Sequence, residues 1–239
     1  MGFLDLPGPF FDLVDRTLLS PLPPLVRLIL WAIAAAIVSL TLYRWLSPQR
    51  RIVETKAQAV EARRQLNAHD GDLESALPLM RRSVGLALRQ VCLVLPGALV
   101  ASLPVLALLV WLDGAYGYQF PADRQAPTIA VEPQAYAGQW QPSDQGGRIQ
   151  IKDPQGAQVA DLALEKPVTR IEKRHWWNLI IGNPGGYLPE AGPVDGVSIA
   201  LPERHYLPVG PDWLRSWLTI ALTALTIASL LIMRLARIA

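Results

Sequence analysis

The sequence predicts an α-helical membrane protein with three transmembrane helices, a cytoplasmic antiparallel coiled-coil hairpin and an inserted small all-β extracytoplasmic domain. Three apolar runs, Leu25–Leu46, Val91–Leu112 and Trp213–Met233, each have about the 20 residues that cross a ~30 Å hydrocarbon core. A basic segment with helical periodicity separates the first two runs, and a segment rich in turn and strand signals separates the last two. Because the apolar residues are clustered in this way, a single soluble domain is disfavoured.

These patterns divide the chain into segments. They are an extracytoplasmic, interfacial amphipathic segment (1–24), transmembrane helix 1 (25–46), a cytoplasmic hairpin (47–90), transmembrane helix 2 (91–112), an extracytoplasmic β-rich domain (113–211), transmembrane helix 3 (212–233) and a cytoplasmic tail (234–239). Lys and Arg are concentrated in the hairpin and after the third run, whereas Asp113–Pro121 has none. Since cytoplasmic loops carry this excess, we expect the amino terminus outside and the carboxyl terminus in the cytoplasm, in the plasma (inner) membrane of a prokaryote.

The amino-terminal segment lacks the basic start of a secretion signal, and Asp5, Asp12 and Asp15 interrupt its apolar residues. On a helix, one side carries the apolar residues Phe10, Phe11, Val14 and Leu18. The charged residues lie nearer the other side: Asp12, Asp15 and Arg16. We interpret Phe10–Leu19 as a helix lying flat on the membrane, with a flexible tail as the alternative.

The segment between the first two runs has the pattern of two helices joined by a turn at residues 67–72. In the first helix, apolar residues recur every seven residues with a second pair beside them: Ile52, Ala59 and Leu66, then Val53 and Val60. In the second, the spacing alternates as in a coiled-coil seam: Leu73, Leu77, Met80, Val84 and Ala87. Pro78 is expected to kink this second helix.

The hairpin has two interpretations. It is either a spacer kept soluble by its charges or a docking arm for a nascent chain, a ribosome or a partner subunit. Its excess of Arg and Lys also suits anionic lipid headgroups or ribosomal RNA. The residues that we expect to contact a client or partner are Arg63, Arg64, Met80, Arg81 and Arg82.

Polar residues follow one face of the third run and are groove-lining candidates: Ser216, Thr219, Thr223, Thr226 and Ser229. They either support helix packing or line a hydrated groove. Arg27, near the outer end of the first run, either extends to the headgroups or lies in an aqueous cleft as a further groove residue. Pro96 and Pro104 are expected to break or bend the second run.

The β-rich segment contains short strand-like runs separated by Gly and Pro, which predict about five to seven strands of a small antiparallel sandwich or partial barrel. The runs are Thr128–Glu132, Arg148–Lys152, Gln158–Leu164, Val168–Glu172, Trp176–Ile181 and Val197–Leu201. Asp153-Pro-Gln-Gly156 is a β-turn signal. Trp176, Trp177 and Tyr187 are candidates for external contacts, with one indole in the core and the other on the membrane or a partner.

Nothing in the sequence indicates an enzyme. Neither a nucleophile–base–acid arrangement nor a phosphate-binding loop is evident, and Cys92 with His69, His175 and His205 has no metal-ligand spacing. We therefore expect no cofactor, no metal and no specific nucleic-acid partner.

An outside amino terminus, a span, a cytoplasmic hairpin, a proline-bearing span and a third span follow one another along the chain. This order resembles the three-span branch of the YidC/Oxa membrane-insertase superfamily, which includes the archaeal YidC-like proteins and the insertase subunit of the ER membrane protein complex. The resemblance rests on Leu19–Leu112, including Ser20-Pro-Leu-Pro-Pro24, Gly71–Met80 and the run through Pro96 and Pro104. The β domain is an addition to the family's pattern.

The resemblance implies a protein that assists insertion or assembly of other membrane proteins by a non-covalent mechanism. Its expected partners are membrane lipid together with nascent membrane proteins, a ribosome or a membrane-complex partner. The alternative is a non-catalytic scaffold subunit of an envelope or membrane complex that binds a partner through the β domain. A third interpretation is a carbohydrate- or peptide-binding sensor built around Trp176 and Trp177.

Overall fold

A computed structural model describes residues 2–69, 71–121, 126–143 and 146–236. Asp70 of the predicted hairpin turn and Arg237 of the predicted tail lie outside the described residues. The chain divides into two compact units. The β unit comprises Met1–Trp31 and Leu106–Thr223, and the helical unit comprises Ala32–Val105 and Ala224–Ala239.

Three long apolar helices account for most of the helical structure. The helices are α1 (Gly8–Thr17), α2 (Pro24–Leu46), α3 (Gln49–Asn67), α4 (Leu73–Leu112), α5 (Asp212–Arg215) and α6 (Trp217–Ala236). By length and composition α2, α4 and α6 are long and apolar enough to cross a membrane. The chain is therefore consistent with a multi-pass membrane protein, as the three apolar runs predicted.

Helix α4 is longer than the sequence predicted. It runs without a break from Leu73 to Leu112 and contains Pro78, Pro96 and Pro104 in its interior. The second hairpin helix and the second span, predicted as successive segments, thus form one helix, and the two prolines of the span do not interrupt it. Each proline removes one backbone hydrogen bond, whereas the rest of the helix keeps its ladder intact.

The protein-facing side of α3 agrees with the predicted heptad. Ile52 and Ala59 are buried and Leu66 is half-buried, with Thr55 and Ala62 completing the stripe. Val53 and Val60, the second predicted pair, are exposed.

Three of the predicted seam residues of α4, Leu77, Met80 and Val84, are exposed. The less exposed positions of this part of α4 include one seam residue, Ala87, and five others: Ala76, Leu79, Ser83, Leu86 and Gln90. The same helical face continues into the span as the buried Gly97, Ala101 and Leu108. Since α4 is one helix, the small residues of its apolar half fix which face the rest of it presents.

The β unit contains two antiparallel three-stranded sheets, ordered β1–β6–β5 and β2–β3–β4. The strands are β1 (Ile129–Glu132), β2 (Ala137–Ser143), β3 (Gly146–Lys152), β4 (Gln158–Leu164), β5 (Arg170–Glu172) and β6 (Gly196–Ile199). Both sheets contribute to one core, in which Ile149 and Ile151 from one sheet and Ile171 and Val197 from the other are almost fully buried. This arrangement is the small antiparallel sandwich that the alternating runs predicted.

Two features of the β unit differ from the sequence prediction. Trp176–Ile181 is not a strand, because Trp176–Leu179 forms a 3-10 turn in which the Asn178 side chain accepts a hydrogen bond from the His175 amide. Strand β2 was missed because it is mostly polar and contains Gly138 and Pro142. The predicted turn is present, with Gly156 donating to the Asp153 carbonyl at 3.0 Å.

The third span begins later than predicted. Helix α5 ends at Arg215, the backbone of Ser216 is extended, and α6 starts at Trp217. Ser216 therefore lies before the helix rather than within it.

Candidate functional site

A buried carboxylate is the centre of the most elaborate polar site in the described part of the β unit. The Asp15 Oδ1 atom accepts hydrogen bonds from the Tyr116 hydroxyl at 2.6 Å and the Trp31 indole at 3.1 Å. Its other oxygen, Oδ2, lies 3.2 Å from the Arg27 guanidinium. Three donors, two from α2 and one from the π-helical turn that follows α4, thus converge on one side chain of α1. A charged group buried in this way is stable only when paired and hydrogen-bonded.

All three nitrogens of the Arg27 guanidinium donate hydrogen bonds. Besides Asp15, it donates to the carbonyls of Leu22 at 2.8 Å and Ser20 at 2.7 Å. Its side chain is 21% exposed. The structure therefore places this groove candidate in an ion pair that fixes the chain between α1 and α2.

Aromatic rings surround this ion pair. Phe11, Trp31 and Trp111 contact one another with ring centroids 5.2 to 5.5 Å apart. Tyr116 packs on Trp111 at 5.8 Å. Trp31 and Trp111 are buried, and their N–H groups donate to Asp15 and Asp12 respectively.

A cavity of about 260 Å³ opens beside the Asp15 site. Its charged lining combines four basic and three acidic residues: Arg16, Arg27, Lys166 and Arg204, with Asp12, Asp15 and Glu165. Lys166 and Asp12 are themselves an ion pair at 3.0 Å. Such mixed charge suits a small polar or zwitterionic group better than an apolar one.

A second cavity, of about 250 Å³, shares Asp12 with the first and is lined mainly by apolar surface. Gly8, Pro9 and Val110 contribute to it, together with Asn183 and Pro184 of the loop after the 3-10 turn.

Tyr206, in the segment before α5, is the last member of this aromatic group. Its hydroxyl donates to the backbone carbonyl of Tyr116 at 2.7 Å. Burial raises the pKa of Tyr206 to about 12, and the nearby Arg204 opposes this shift. Tyr206 therefore stays protonated and keeps its hydrogen bond at physiological pH.

The helical unit presents a different surface, an exposed apolar row along α4 that we call the α4 stripe. It consists of Leu77, Met80, Val84 and Leu88, of which Met80 is 45% and Leu88 61% exposed. On the same side of the helix, exposed Val91, Leu95 and Leu99 continue the row into the apolar half of α4.

The predicted docking residues lie on this unit. Arg81 and Arg82 are exposed on α4 beside Met80, and Arg63 and Arg64 are exposed near the end of α3. The structure thus leaves all five predicted docking side chains accessible, although their role stays a prediction.

The hydroxyls of the third span do not share one environment. Ser216 and Thr219 both donate to the Trp213 carbonyl, at 2.8 and 2.6 Å, and so link α5 to the start of α6. Thr223 and Thr226 are exposed and Ser229 is half-buried, whereas Ala221 and Ala228 form the buried side of α6. Their groove-lining role stays a prediction.

The expectation that one of the two adjacent indoles fills the core is wrong. Trp176 is 73% and Trp177 46% exposed, and the Trp177 ring stacks on His175 at 4.2 Å. Tyr187 is half-buried, and its hydroxyl accepts a hydrogen bond from the Asn183 amide.

The site around Asp15 was not predicted from the sequence. Asp5, Asp12 and Asp15 were treated as interruptions of an apolar segment, whereas on α1 and the turn before it they are the protein-facing groups. Their recurrence on one helical face was the available signal. Their donors, Trp31, Trp111 and Tyr116, are too distant in sequence to be assigned from periodicity.

Comparison with known proteins finds no family, no curated protein and no solved structure that matches this chain.

Proposed function

We propose that the protein assists the insertion or assembly of other membrane proteins, without covalent chemistry, by holding an apolar segment of a client along the α4 stripe. The observation that carries this proposal is an exposed apolar row that continues from the charged half of α4 into its apolar half. The proposal includes a cytoplasmic coiled-coil hairpin formed by α3 and the first half of α4, an extracytoplasmic β domain, and ancestry in the three-span branch of the YidC/Oxa superfamily.

The length of α4 supports this reading. Its 40 residues measure about 60 Å at 1.5 Å per residue, twice the ~30 Å hydrocarbon core. Arg81, Arg82 and Arg89 lie in the first half of the helix, so that half is the one that leaves the hydrocarbon. The α4 stripe is therefore an apolar surface outside the membrane core, where such surfaces mark interaction sites.

The binding free energy that the α4 stripe can supply suits temporary binding of a client. Covering a half-exposed Leu, Val or Met gains roughly 1 kcal/mol, so the four side chains supply about 4 kcal/mol, which corresponds to weak, millimolar binding. Met80 adds an adaptable side chain of the kind that accepts varied partners. A client held this weakly can pass on to the bilayer along Val91, Leu95 and Leu99.

A photo-crosslinking side chain at Met80 tests the proposal in cells that synthesise membrane proteins. We expect products with many newly made membrane proteins from position 80. The matched control is position 85, because Gly85 lies on the same helix and a side chain there contacts nothing. A single fixed product from position 80 would instead favour the scaffold alternative, and equal yields from both positions would contradict client binding at the stripe.

Charge on the stripe gives an independent measurement. The double variant Met80→Asp, Val84→Asp is expected to lower the yield of inserted client about 10- to 30-fold, since each lost apolar contact of roughly 1 kcal/mol corresponds to about 5-fold. Gly85→Asp introduces the same type of charge off the stripe and is expected to leave insertion unchanged. Protein abundance must be equal in all variants for the comparison to count.

A further inference from the structure

The amino-terminal segment exposes a set of large apolar side chains. Phe3, Leu6, Phe10, Leu13 and Leu18 are all more than half exposed, whereas Leu4 is buried and Phe11 and Val14 are half-buried. We call the five exposed side chains the amino-terminal stripe. A helix on a protein in water normally keeps most of its large apolar side chains against the core.

The carboxylates of the segment face the protein. Asp5 accepts hydrogen bonds from the Gly2 and Gly182 amides, both at 2.7 Å. Asp12 binds the Trp111 indole at 2.8 Å, and Asp15 is the buried centre described above. The segment is thus fixed to the β unit through its acids, and its outward apolar row is not the result of a loosely placed tail.

A second exposed apolar surface adjoins this segment. The Leu4 amide donates to the Ile180 carbonyl at 2.9 Å, next to the 3-10 turn that carries Trp176 and Trp177. Leu179, Ile180 and Ile181 are also exposed. The amino-terminal stripe and this tryptophan turn together form the apolar face of the β unit.

The chain itself indicates what covers this face. Residues 18–23 join α1 to α2, and α2 is long and apolar enough to cross a membrane. The β unit also contains the end of α4 and the start of α6, so it holds one end of each spanning helix. A surface attached so closely to the spans lies where the bilayer begins, and tryptophan is the side chain that favours this zone.

We infer that the apolar face of the β unit is embedded in the lipid leaflet nearest to it, with acyl chains covering the amino-terminal stripe and the tryptophan turn at the headgroup boundary. The face is a lipid-binding anchor in addition to the three spans. This inference does not depend on the proposed client binding by α4.

Spin labels on single cysteines test the inference in the full chain. Cys92 is the only cysteine, so a Cys92→Ser background accepts one label at a time. Labels are placed by Phe10→Cys, Leu13→Cys and Trp176→Cys, and the protein is reconstituted in phosphatidylethanolamine–phosphatidylglycerol vesicles. Gln155→Cys, in an exposed turn of the same unit, is the water-facing control, and Leu99→Cys, in the apolar half of α4, is the lipid-facing control.

The expected result is a collision rate with oxygen at Phe10 and Leu13 near that of Leu99, and a collision rate with a water-soluble nickel complex at least about 5-fold below that of Gln155. Nickel accessibility equal to Gln155 would overturn the inference, because the face would then be in water. Low accessibility to both reagents would overturn it as well, since a protein rather than lipid would cover the face. Circular dichroism of each labelled chain checks its fold, and Phe10 and Leu13 provide separate sites on one stripe.

Discussion

The Asp15–Arg27 pair shows how a single buried charge can bring distant parts of the β unit together. Asp15 belongs to α1, and its donors come from residues 12, 16 and 101 positions away in the chain. Each donor offsets part of the cost of removing the carboxylate from water. Asp15, satisfied by all three donors together, thus contributes to holding α1 against the rest of the β unit, as Asp12 does through Trp111 and Lys166.

Removing one member of the Asp15–Arg27 pair is expected to destabilise the protein strongly. Asp15→Ala leaves the Arg27 guanidinium without its carboxylate and is expected to lower the free energy of unfolding by about 3–5 kcal/mol. The double variant Asp15→Ala, Arg27→Ala should lose less than the sum of the single losses, with a coupling of about 1–3 kcal/mol. Unfolding of the purified protein in detergent, followed by tryptophan fluorescence, measures both quantities.

The control is an exposed ion pair of the same unit, Arg148 with Asp161, whose side chains are 52% and 35% exposed. The coupling free energy of this exposed pair is expected to be below about 1 kcal/mol, because water screens the attraction between the two charges. Equal coupling in the two pairs would contradict a special role for Asp15.

At the scale of elements, the continuity of α4 decides which surfaces the helical unit presents. Its buried side is set by close approach at Gly97, where an added Cβ would meet the Ser47 side chain. The Ser39 hydroxyl also donates to the Ala101 carbonyl at 2.6 Å and ties α2 to the same side of α4. These contacts turn Leu77, Met80 and Val84 outward and so create the α4 stripe.

Gly97→Ala tests this close approach. The added methyl group is expected to cost about 1–2 kcal/mol of stability through overpacking, and Ser47→Ala should restore part of the loss by removing the hydroxyl in contact. Gly85→Ala is the matched control, because a Cβ there meets nothing and alanine is the better helix former by up to about 1 kcal/mol. Thermal unfolding by circular dichroism distinguishes them, and equal effects at positions 85 and 97 would show that the contact is unimportant.

At the scale of the whole molecule, the distribution of charge predicts orientation. The arginines of α3 and α4 favour the cytoplasm and the β unit is expected outside. In a Cys92→Ser background, Gln155→Cys should react with a membrane-impermeant maleimide in intact cells, and Gln65→Cys only after permeabilisation. Reaction of Gln65→Cys in intact cells would contradict both the orientation and the proposed delivery of clients to the α4 stripe.

The sequence by itself determined the presence of three apolar helices and of a small sandwich between the second and third of them. Within a bilayer, a single long apolar run satisfies its own backbone hydrogen bonds by forming a helix, and alternating runs such as Gln158–Leu164 bury one side as strands. Both signals are local, so periodicity was sufficient to find them.

Only the tertiary structure decided which sides of these elements are covered. Apolar periodicity assigned Leu77, Met80 and Val84 to a seam, but the small residues of a distant part of α4 selected another face. The acids of the amino-terminal segment acquired their role from Tyr116 and Trp111, far along the chain. Spacing within one element was enough to find the buried side of α3, but the partners of a buried acid are side chains brought together from distant positions, which spacing within one element does not identify.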